Sequence, residues 1–293
     1  FNEYIIGSIT GPNWVDDPVS MGKQSPLMSP YWEDKIPDFK NIHIPVYCTA
    51  CWNHFHLRGA FEGFRKIKST KKWMRAHREF EWPDGYDLNH LNELKMFFDR
   101  YLKGIRNCWE STPRVRIEVE DAYDLNFDNN REEKTFPIKR TQYKKVYLDA
   151  RDNTCSYEPI SVESSYSYDG NEGIANFDFK FEEDTEITGY MKLRLWVEAD
   201  EHDDMDMFVN IQKLSTTGEW IPISVLGEPH PGTWGKMRVS HRTLDEKKSK
   251  HFQPVQSHLK EEKLSKGEIV PVDIEIVPSS RFWHKGQYLR IQI

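Results

Sequence analysis

Histidines follow two apolar runs of strand length in this sequence. The first run ends in Asn53, His54 and His56, and the second, at residues 72–76, ends in His77. In an open α/β sheet, reacting groups lie beyond the carboxyl ends of the strands. An imidazole at such a place can take a proton from a hydroxyl nucleophile, provided that an acid holds it in the right tautomer. We therefore predict that His77 is a candidate general base and that its orienting group lies near Asn53.

The orienting group presents a difficulty, because the first strand end has no carboxylate. Asn53 can orient an imidazole by a hydrogen bond, but it cannot stabilise the imidazolium by charge, and losing that charge costs orders of magnitude in rate. Glu79, Glu81 and Asp84 follow His77 and are alternatives from the neighbouring loop. A structural role for both His77 and Asn53 stays open. A carboxylate within hydrogen-bond reach of His77 would favour catalysis.

A nucleophile does not accompany these residues in the sequence. The pattern Gly-x-Ser-x-Gly, which exposes a serine between a strand and a helix, does not occur. Ser25 precedes a proline, and Ser161, Ser164 and Ser165 fall in a region of strand-like alternation. We therefore expect that this polypeptide alone does not hydrolyse a substrate by a serine route.

Two other groups have simpler explanations than chemistry. Cys48 and Cys51 form a C-x-x-C inside an apolar run, with no second pair at zinc spacing, and we interpret them as buried thiols of a reduced compartment. This favours a cytoplasmic location over secretion. The acidic segment 201–206 lacks the glycine and the distal glutamate of an EF-hand loop, so a solvated connection is the better interpretation. No metal and no cofactor are predicted.

Composition narrows the class of protein. Of the 293 residues, 30% are charged and 38% apolar, which suits a globular chain with a sizeable core. The formal net charge is −7 and the basic residues are interspersed with acidic ones, so we expect no nucleic-acid partner. No apolar run approaches the roughly 20 residues of a membrane span, so none is predicted.

The first part of the chain has an α/β pattern. Residues 1–40 are broken by prolines and resemble a packed cap or insertion. Residues 41–110 contain two strand-length apolar runs and two helical patterns, and Asp87 is the expected N-cap of the second helix. The nearly continuous first run suits a parallel strand that is covered on both faces. We predict the end of an open α/β sheet here.

From residue 112 onward the hydrophobic period is two. Residues 191–197 alternate apolar and polar side chains, and residues 207–211 do so again, which indicates strands with one buried face. Repeated short strands without a helical period indicate a β-sandwich or jelly roll over residues 111–293. We interpret residues 226–256 as one long connection that lies over the surface.

Four longer motifs resemble those of the CocE/NonD hydrolases, a family that includes esterases and X-Pro dipeptidyl-peptidase-like serine hydrolases. They read FFDRYLKGIRNCWESTPRVRIEV, TGYMKLRLWVEADEHDDMDMFVNIQKL, HPGTWGKMRVSHRTLD and LSKGEIVPVDIEIVPSSRFWHKGQYLRI. The resemblance covers nearly the whole chain. It implies an α/β-hydrolase domain with an inserted helical cap, followed by a jelly-roll domain of galactose-binding type. It also implies cleavage of a small ester, amide or peptide substrate through an acyl-enzyme, and it allows a homo-oligomer formed through the jelly roll.

The resemblance can be carried over position by position. Residues 44–52 match the strand before the family's catalytic acid, and Asn53 stands at the place of that acid. Residues 73–77 match the last strand of the sheet and make His77 the nearest counterpart of the catalytic histidine, although the usual Gly-Pro-Trp-x-His is absent. The serine would then lie upstream of Phe1, and the jelly roll would continue past the last residue.

Two alternatives to an active hydrolase remain on the sequence alone. A catalytically dead relative would use the same fold as a binding or structural protein, with degraded acid and histidine loops. A carbohydrate-binding module is a weaker idea that depends only on the jelly-roll analogy.

Overall fold

The computed structural model describes residues 16–293, and Pro12 and Trp14 of the predicted cap lie outside that range. Within the described residues there are five α-helices and fifteen β-strands. The helices are α1 (Pro18–Gln24), α2 (Pro30–Asp34), α3 (Leu57–Lys66), α4 (Glu81–Tyr86) and α5 (Leu88–Tyr101). The strands of the first half are β1 (Val46–Cys51), β2 (Lys72–His77), β3 (Val115–Ala122), β4 (Leu125–Glu133), β5 (Tyr147–Asp149), β6 (Thr154–Ser156) and β7 (Asn176–Lys180). Those of the second half are β8 (Thr185–Val197), β9 (Asp206–Leu214), β10 (Trp220–Ile221), β11 (Ile223–Val225), β12 (Glu228–His230), β13 (Thr233–Arg238), β14 (Val270–Trp283) and β15 (Tyr288–Gln292).

Strands β1, β2 and β3 form a parallel unit with helices on both faces. β1 pairs with β2 so that Cys51 lies opposite His77, and β2 pairs with β3 so that Ala76 lies opposite Ile117. Helix α3 packs Phe61 against one face of these strands, and helix α5 packs Phe97 against the other. Both faces are therefore apolar, as the nearly continuous first run predicts.

Strand β3 was expected among the antiparallel strands because its apolar residues alternate with charged ones. It instead continues the parallel unit through its pairing with β2, and it also forms a hairpin with β4. The alternation is misleading because the charged side chains are buried as well: Arg116 is 7% exposed and Glu120 is 2% exposed. Each has an oppositely charged or amide partner, which is the condition for burying such groups.

The antiparallel part follows in the sheet order β14-β13-β9-β15-β7, and β8 pairs along β14. The predicted alternation of β8 and β9 is confirmed by burial, since Leu193, Met207, Val209 and Ile211 all lie in the core and Phe208 is exposed. β14 also pairs with β3 at Arg281 and Glu120, which joins the two parts into one continuous sheet of thirteen strands. No helix of the described residues is long and apolar enough to cross a membrane.

The prediction of one long connection over residues 226–256 is wrong. Strand β13 lies within it and pairs with β9 along its whole length and with β14 at Gly235. A Cβ atom at Gly235 would lie 2.4 Å from the carbonyl oxygen of Glu275, so the close approach of β14 requires glycine here. Gly235 therefore belongs to a strand and not to a surface connection.

Candidate active site

The carboxyl ends of the parallel strands bring the predicted site residues to one edge of the sheet. Asn53 follows β1, His77 ends β2, and Glu120 lies near the end of β3. The register that places Cys51 opposite His77 aligns the first two strand ends. This is the edge at which an open α/β sheet presents its reacting groups.

The tautomer of His77 follows from its hydrogen bond. Its ring is 1% exposed, and Nδ1 lies 2.8 Å from the carbonyl oxygen of Glu79. Because a carbonyl oxygen only accepts, Nδ1 carries the hydrogen, and in the neutral ring Nε2 keeps its lone pair. No hydrogen-bond partner of Nε2 occurs within residues 16–293. This is the tautomer that a general base needs.

A carboxylate lies beside the same nitrogen. Oδ1 of Asp84, in helix α4, is 3.3 Å from Nδ1 of His77. Asp84 is 5% exposed and forms a two-point ion pair with Arg75, whose Nη1 donates to Oδ1 at 2.7 Å. His90 approaches the same oxygen at 3.1 Å. The loop after β2 thus offers the charge that the end of β1 lacks.

Burial lowers the pKa of His77 to about 4, although the charge of Asp84 opposes this effect. The imidazole is therefore neutral at pH 7, which is the form that accepts a proton. The pKa of Arg75 shows the reverse balance. Burial acts to lower it, but the hydrogen bond with Asp84 and the nearby Tyr47 outweigh burial and raise it, so the guanidinium stays charged.

The low pKa of His77 makes the stability of the fold depend on pH. The folded-state pKa of about 4 lies below the ordinary value of 6.5, so stability is fully present above about pH 6.5 and falls as the pH drops towards 4. This shift corresponds to about 3 kcal/mol. We expect His77→Gln to remove this part of the pH dependence, measured as the difference in Tm between variant and parent from pH 7.5 to 4. Parallel Tm curves for the two proteins would contradict the burial of a neutral imidazole.

Asn53 makes contacts that point away from His77. Its Nδ2 donates to Oε1 of Glu120 at 2.8 Å and approaches the carbonyl oxygen of Arg78 at 3.5 Å. No hydrogen bond joins Asn53 and His77 in the part of the chain that the structure describes. Burial raises the pKa of Glu120 to about 7, with Arg281 and the Asn53 amide acting in the opposite direction. Asn53 therefore orients a buried carboxyl group.

His54, His56 and Glu81 form a group whose spacing could suit a metal ion, with ligand atoms within 4.8 Å of one another. The hydrogen bonds oppose this use. Nδ1 of His54 accepts the backbone N–H of His56 at 3.1 Å, so in the neutral ring the hydrogen resides on Nε2, 3.1 Å from Oε2 of Glu81. A metal ligand would need that nitrogen free. The group is explained as a hydrogen-bonded pair.

The other sequence candidates stay outside this site. Burial raises the pKa of the Cys51 thiol to about 12, which keeps it protonated and unreactive. Ser164 accepts the backbone N–H of Ala150 at 2.9 Å within the antiparallel part. The sequence analysis missed Arg75 and His90, which hold Asp84. The only signal for Arg75 was its position two residues before His77 on the same face of the strand.

Comparisons with known proteins agree with this architecture. Residues 107–293 match the X-Pro dipeptidyl-peptidase C-terminal non-catalytic domain. The chain is similar to the crystal structure of a CocE/NonD family hydrolase from Staphylococcus aureus, with 35% identity and a TM-score of 0.91, covering 96% of this chain and 51% of that one. No curated protein sequence matches it.

Two more distant structures share the fold. One is an aminopeptidase from a marine sediment Thaumarchaeota archaeon, with 12% identity and a TM-score of 0.67, covering 94% of this chain and 52% of that one. The other is an α-amino acid ester hydrolase, with 14% identity and a TM-score of 0.65, covering 99% of this chain and 54% of that one. The chain thus spans about half the length of the solved structures that it matches.

Proposed function

This chain belongs to the CocE/NonD family of X-Pro dipeptidyl-peptidase-like hydrolases, and on that premise we propose that it supplies the general base of a serine hydrolase. The base is His77. The observation that carries the proposal is the hydrogen bond from Nδ1 to the Glu79 carbonyl oxygen, because it leaves Nε2 able to accept a proton.

The proposed reaction is acyl transfer through a serine ester. Nε2 of His77 takes the serine proton while the serine oxygen bonds to the substrate carbonyl carbon, and the same proton then passes to the leaving alcohol or amine. Water repeats the sequence and releases the acid. The substrate class is a small ester, amide or peptide. We propose that the serine lies in polypeptide outside these 293 residues, which is supported by the missing Gly-x-Ser-x-Gly pattern and by the half-length coverage of the relatives.

The antiparallel strands have a separate role in this proposal. The region matching the non-catalytic domain begins at residue 107, after His77 and Asp84. We propose that it forms a jelly roll of galactose-binding type that buttresses the hydrolase part and can join copies of the protein. The alternation of β8 and β9 and the pairing of β14 with β3 support this description.

A single mass measurement tests the proposal. The native protein, purified from its source, is treated with a fluorophosphonate probe that reacts with activated serines, and its intact mass is compared with that of untreated protein. We expect a mass well above 34.8 kDa and one probe adduct per chain. A mass near 34.8 kDa without an adduct would instead identify a catalytically dead relative, and the proposal would then be wrong.

A further inference from the structure

The acidic group that faces the candidate base comes after it in the chain. Asp84 lies in helix α4, seven residues beyond His77. We infer that Asp84 serves as the charge-stabilising acid for His77, in place of the residue that Asn53 replaces. This inference rests on the proposed function, because an acid of this kind acts only through a histidine that shuttles a proton.

Asn53 is already committed to another group. Its amide donates to the carboxyl group of Glu120, which is 2% exposed and lies on β3. A carboxylate at position 53 would meet that buried acid, and two acids at this distance cannot both ionise readily. The end of β1 therefore favours a neutral amide. The negative charge that stabilises the His77 imidazolium has to come from another residue.

The geometry of the Asp84 carboxylate suits that role. Its Oδ1 accepts a hydrogen bond from Nη1 of Arg75 at 2.7 Å, and it lies 3.1 Å from Nδ1 of His90 and 3.3 Å from Nδ1 of His77. Oδ2 is bonded to the second terminal nitrogen of Arg75. A two-point pair of this kind fixes the plane of the carboxylate as well as its position. The oxygen that meets His77 is thus held in place before any proton moves.

Arg75 is itself anchored from behind. Its Nε donates to the hydroxyl of Tyr47 at 3.2 Å, and that hydroxyl donates to Glu93 at 2.6 Å. Arg116 donates to the same carboxylate at 2.9 Å. Two guanidinium groups thus alternate with two carboxylates, so the buried network is neutral overall and each charge has a partner.

In a usual triad one acid both sets the tautomer of the histidine and stabilises its charge. Here two different groups perform these two functions. The Glu79 carbonyl oxygen, at 2.8 Å, sets the tautomer of His77. Asp84, at 3.3 Å, supplies the negative charge that stabilises the imidazolium after Nε2 has taken the proton. Without that charge, only the carbonyl dipole would stabilise the buried imidazolium, and the nearby cation of Arg75 would destabilise it. Asp84 is a positioning residue in this account, because it acts through His77.

The pH dependence of the reaction separates this role from a structural one. The titratable or charged groups that face His77 are Arg75 on β2, Asp84 on α4, His90 on α5 and its register partner Cys51 on β1. Of these, Asp84 is the group whose charge raises the pKa of His77. Removing that charge should therefore slow the reaction and also move the acid limb of its pH profile to lower pH.

The test uses the rate of fluorophosphonate labelling of the native protein between pH 3 and 9, because the acid limb of the parent is expected near the His77 pKa of about 4. We expect Asp84→Asn to lower the rate at pH 7 by about 10² to 10⁴-fold and to move the acid limb down. Asp84→Glu, which keeps the charge, should keep the limb near its original pH. Asp87→Asn is the matched control, because Asp87 caps helix α5 in the same segment, and it should label at the parental rate.

Three outcomes would overturn the inference. One is Asp84→Asn labelling within about threefold of the parent while His77→Gln does not label, which would leave the proposed function intact. Another is an equal loss for Asp84→Glu with the same shift of the acid limb as Asp84→Asn, which is what a purely structural role predicts. The third is faster labelling of Asn53→Asp, which would return the acid to the end of β1. Failure of the parent protein to label would instead remove the proposed function itself.

Discussion

Replacement of His77 by glutamine is expected to lower kcat/KM for an activated ester by about 10⁴ to 10⁶-fold, because glutamine cannot take the proton of the nucleophile. Glutamine preserves the volume and a hydrogen-bond donor for the Glu79 carbonyl oxygen, so the loss reflects chemistry more than packing. The measurement is the hydrolysis of p-nitrophenyl esters and of X-Pro p-nitroanilides by the native protein and its variant.

The matched control for this substitution is His202→Gln. His202 is exposed in the acidic connection between β8 and β9, within the antiparallel part. Its replacement should leave kcat/KM within about twofold of the parent, since surface substitutions of this kind rarely change either folding or chemistry. A His77→Gln variant that retained about a tenth of the parental activity would exclude His77 as the base.

The second large effect is expected for Lys213→Met, and it concerns stability. Lys213 lies on β9 and is 0% exposed, although it carries a charge. Its ammonium group donates to the carbonyl oxygens of Asp121 at 2.9 Å and Phe282 at 2.8 Å, and it forms an ion pair with the Asp121 carboxylate. These contacts join β9 to the ends of β3 and β14, so this lysine ties the antiparallel part to the parallel strands.

Methionine keeps the length of the side chain but removes the ammonium group from a partly buried carboxylate and from two carbonyl oxygens. The Asp121 carboxylate would retain its contact with His284, at 2.9 Å, and the Asp121 carbonyl oxygen would retain the hydrogen bond from Nε of Arg281, at 3.4 Å. We expect a loss of about 3–5 kcal/mol in the free energy of unfolding, or a decrease in Tm on the order of 10 °C. Lys180→Met is the control, because Lys180 lies exposed on β7. Equal Tm values for the two variants would refute the role given to Lys213.

Local patterns were sufficient for most of the individual elements. The period of two predicted β8 and β9, and their buried residues confirm it. Asp87 was predicted to cap a helix, and its side chain accepts the backbone N–H groups of Asn89 and His90 at the start of α5. These predictions succeed because period and capping depend on residues within a few positions of each other. The family resemblance is also confirmed, by the match over residues 107–293 and by the similar crystal structure.

The pairing of strands was harder to predict, because it depends on residues far apart in the sequence. β13 was not predicted, and the need for Gly235 becomes clear only when β14 lies beside it. β3 resembled a strand with one solvent-exposed face because Arg116 and Glu120 are charged. Their burial depends on Glu93 and Asn53, which come from other elements. The domain limits at residues 40 and 110 remain predictions.

Strand ends and histidines indicated that His77 and Asn53 lie at one edge of the sheet, and the register of β1 and β2 places them there. That this edge is an active site remains a prediction. Which carboxylate would face His77 could not be decided from Glu79, Glu81 and Asp84, because the choice depends on how α4 turns after β2. Arg75 decides it by pairing with Asp84. A charged residue on a predicted strand is usually taken as solvent-exposed, and only the partner reveals otherwise.

The most direct test of the central claim is the rate at which a fluorophosphonate probe labels the native protein and its His77→Gln variant. This measurement needs no knowledge of the substrate, because the probe reports the activated serine itself. We expect one adduct on the parent and a labelling rate lowered by about 10³-fold or more in the variant. Equal labelling of both proteins, or no labelling of the parent, would contradict the assignment of His77 as the general base of a serine hydrolase.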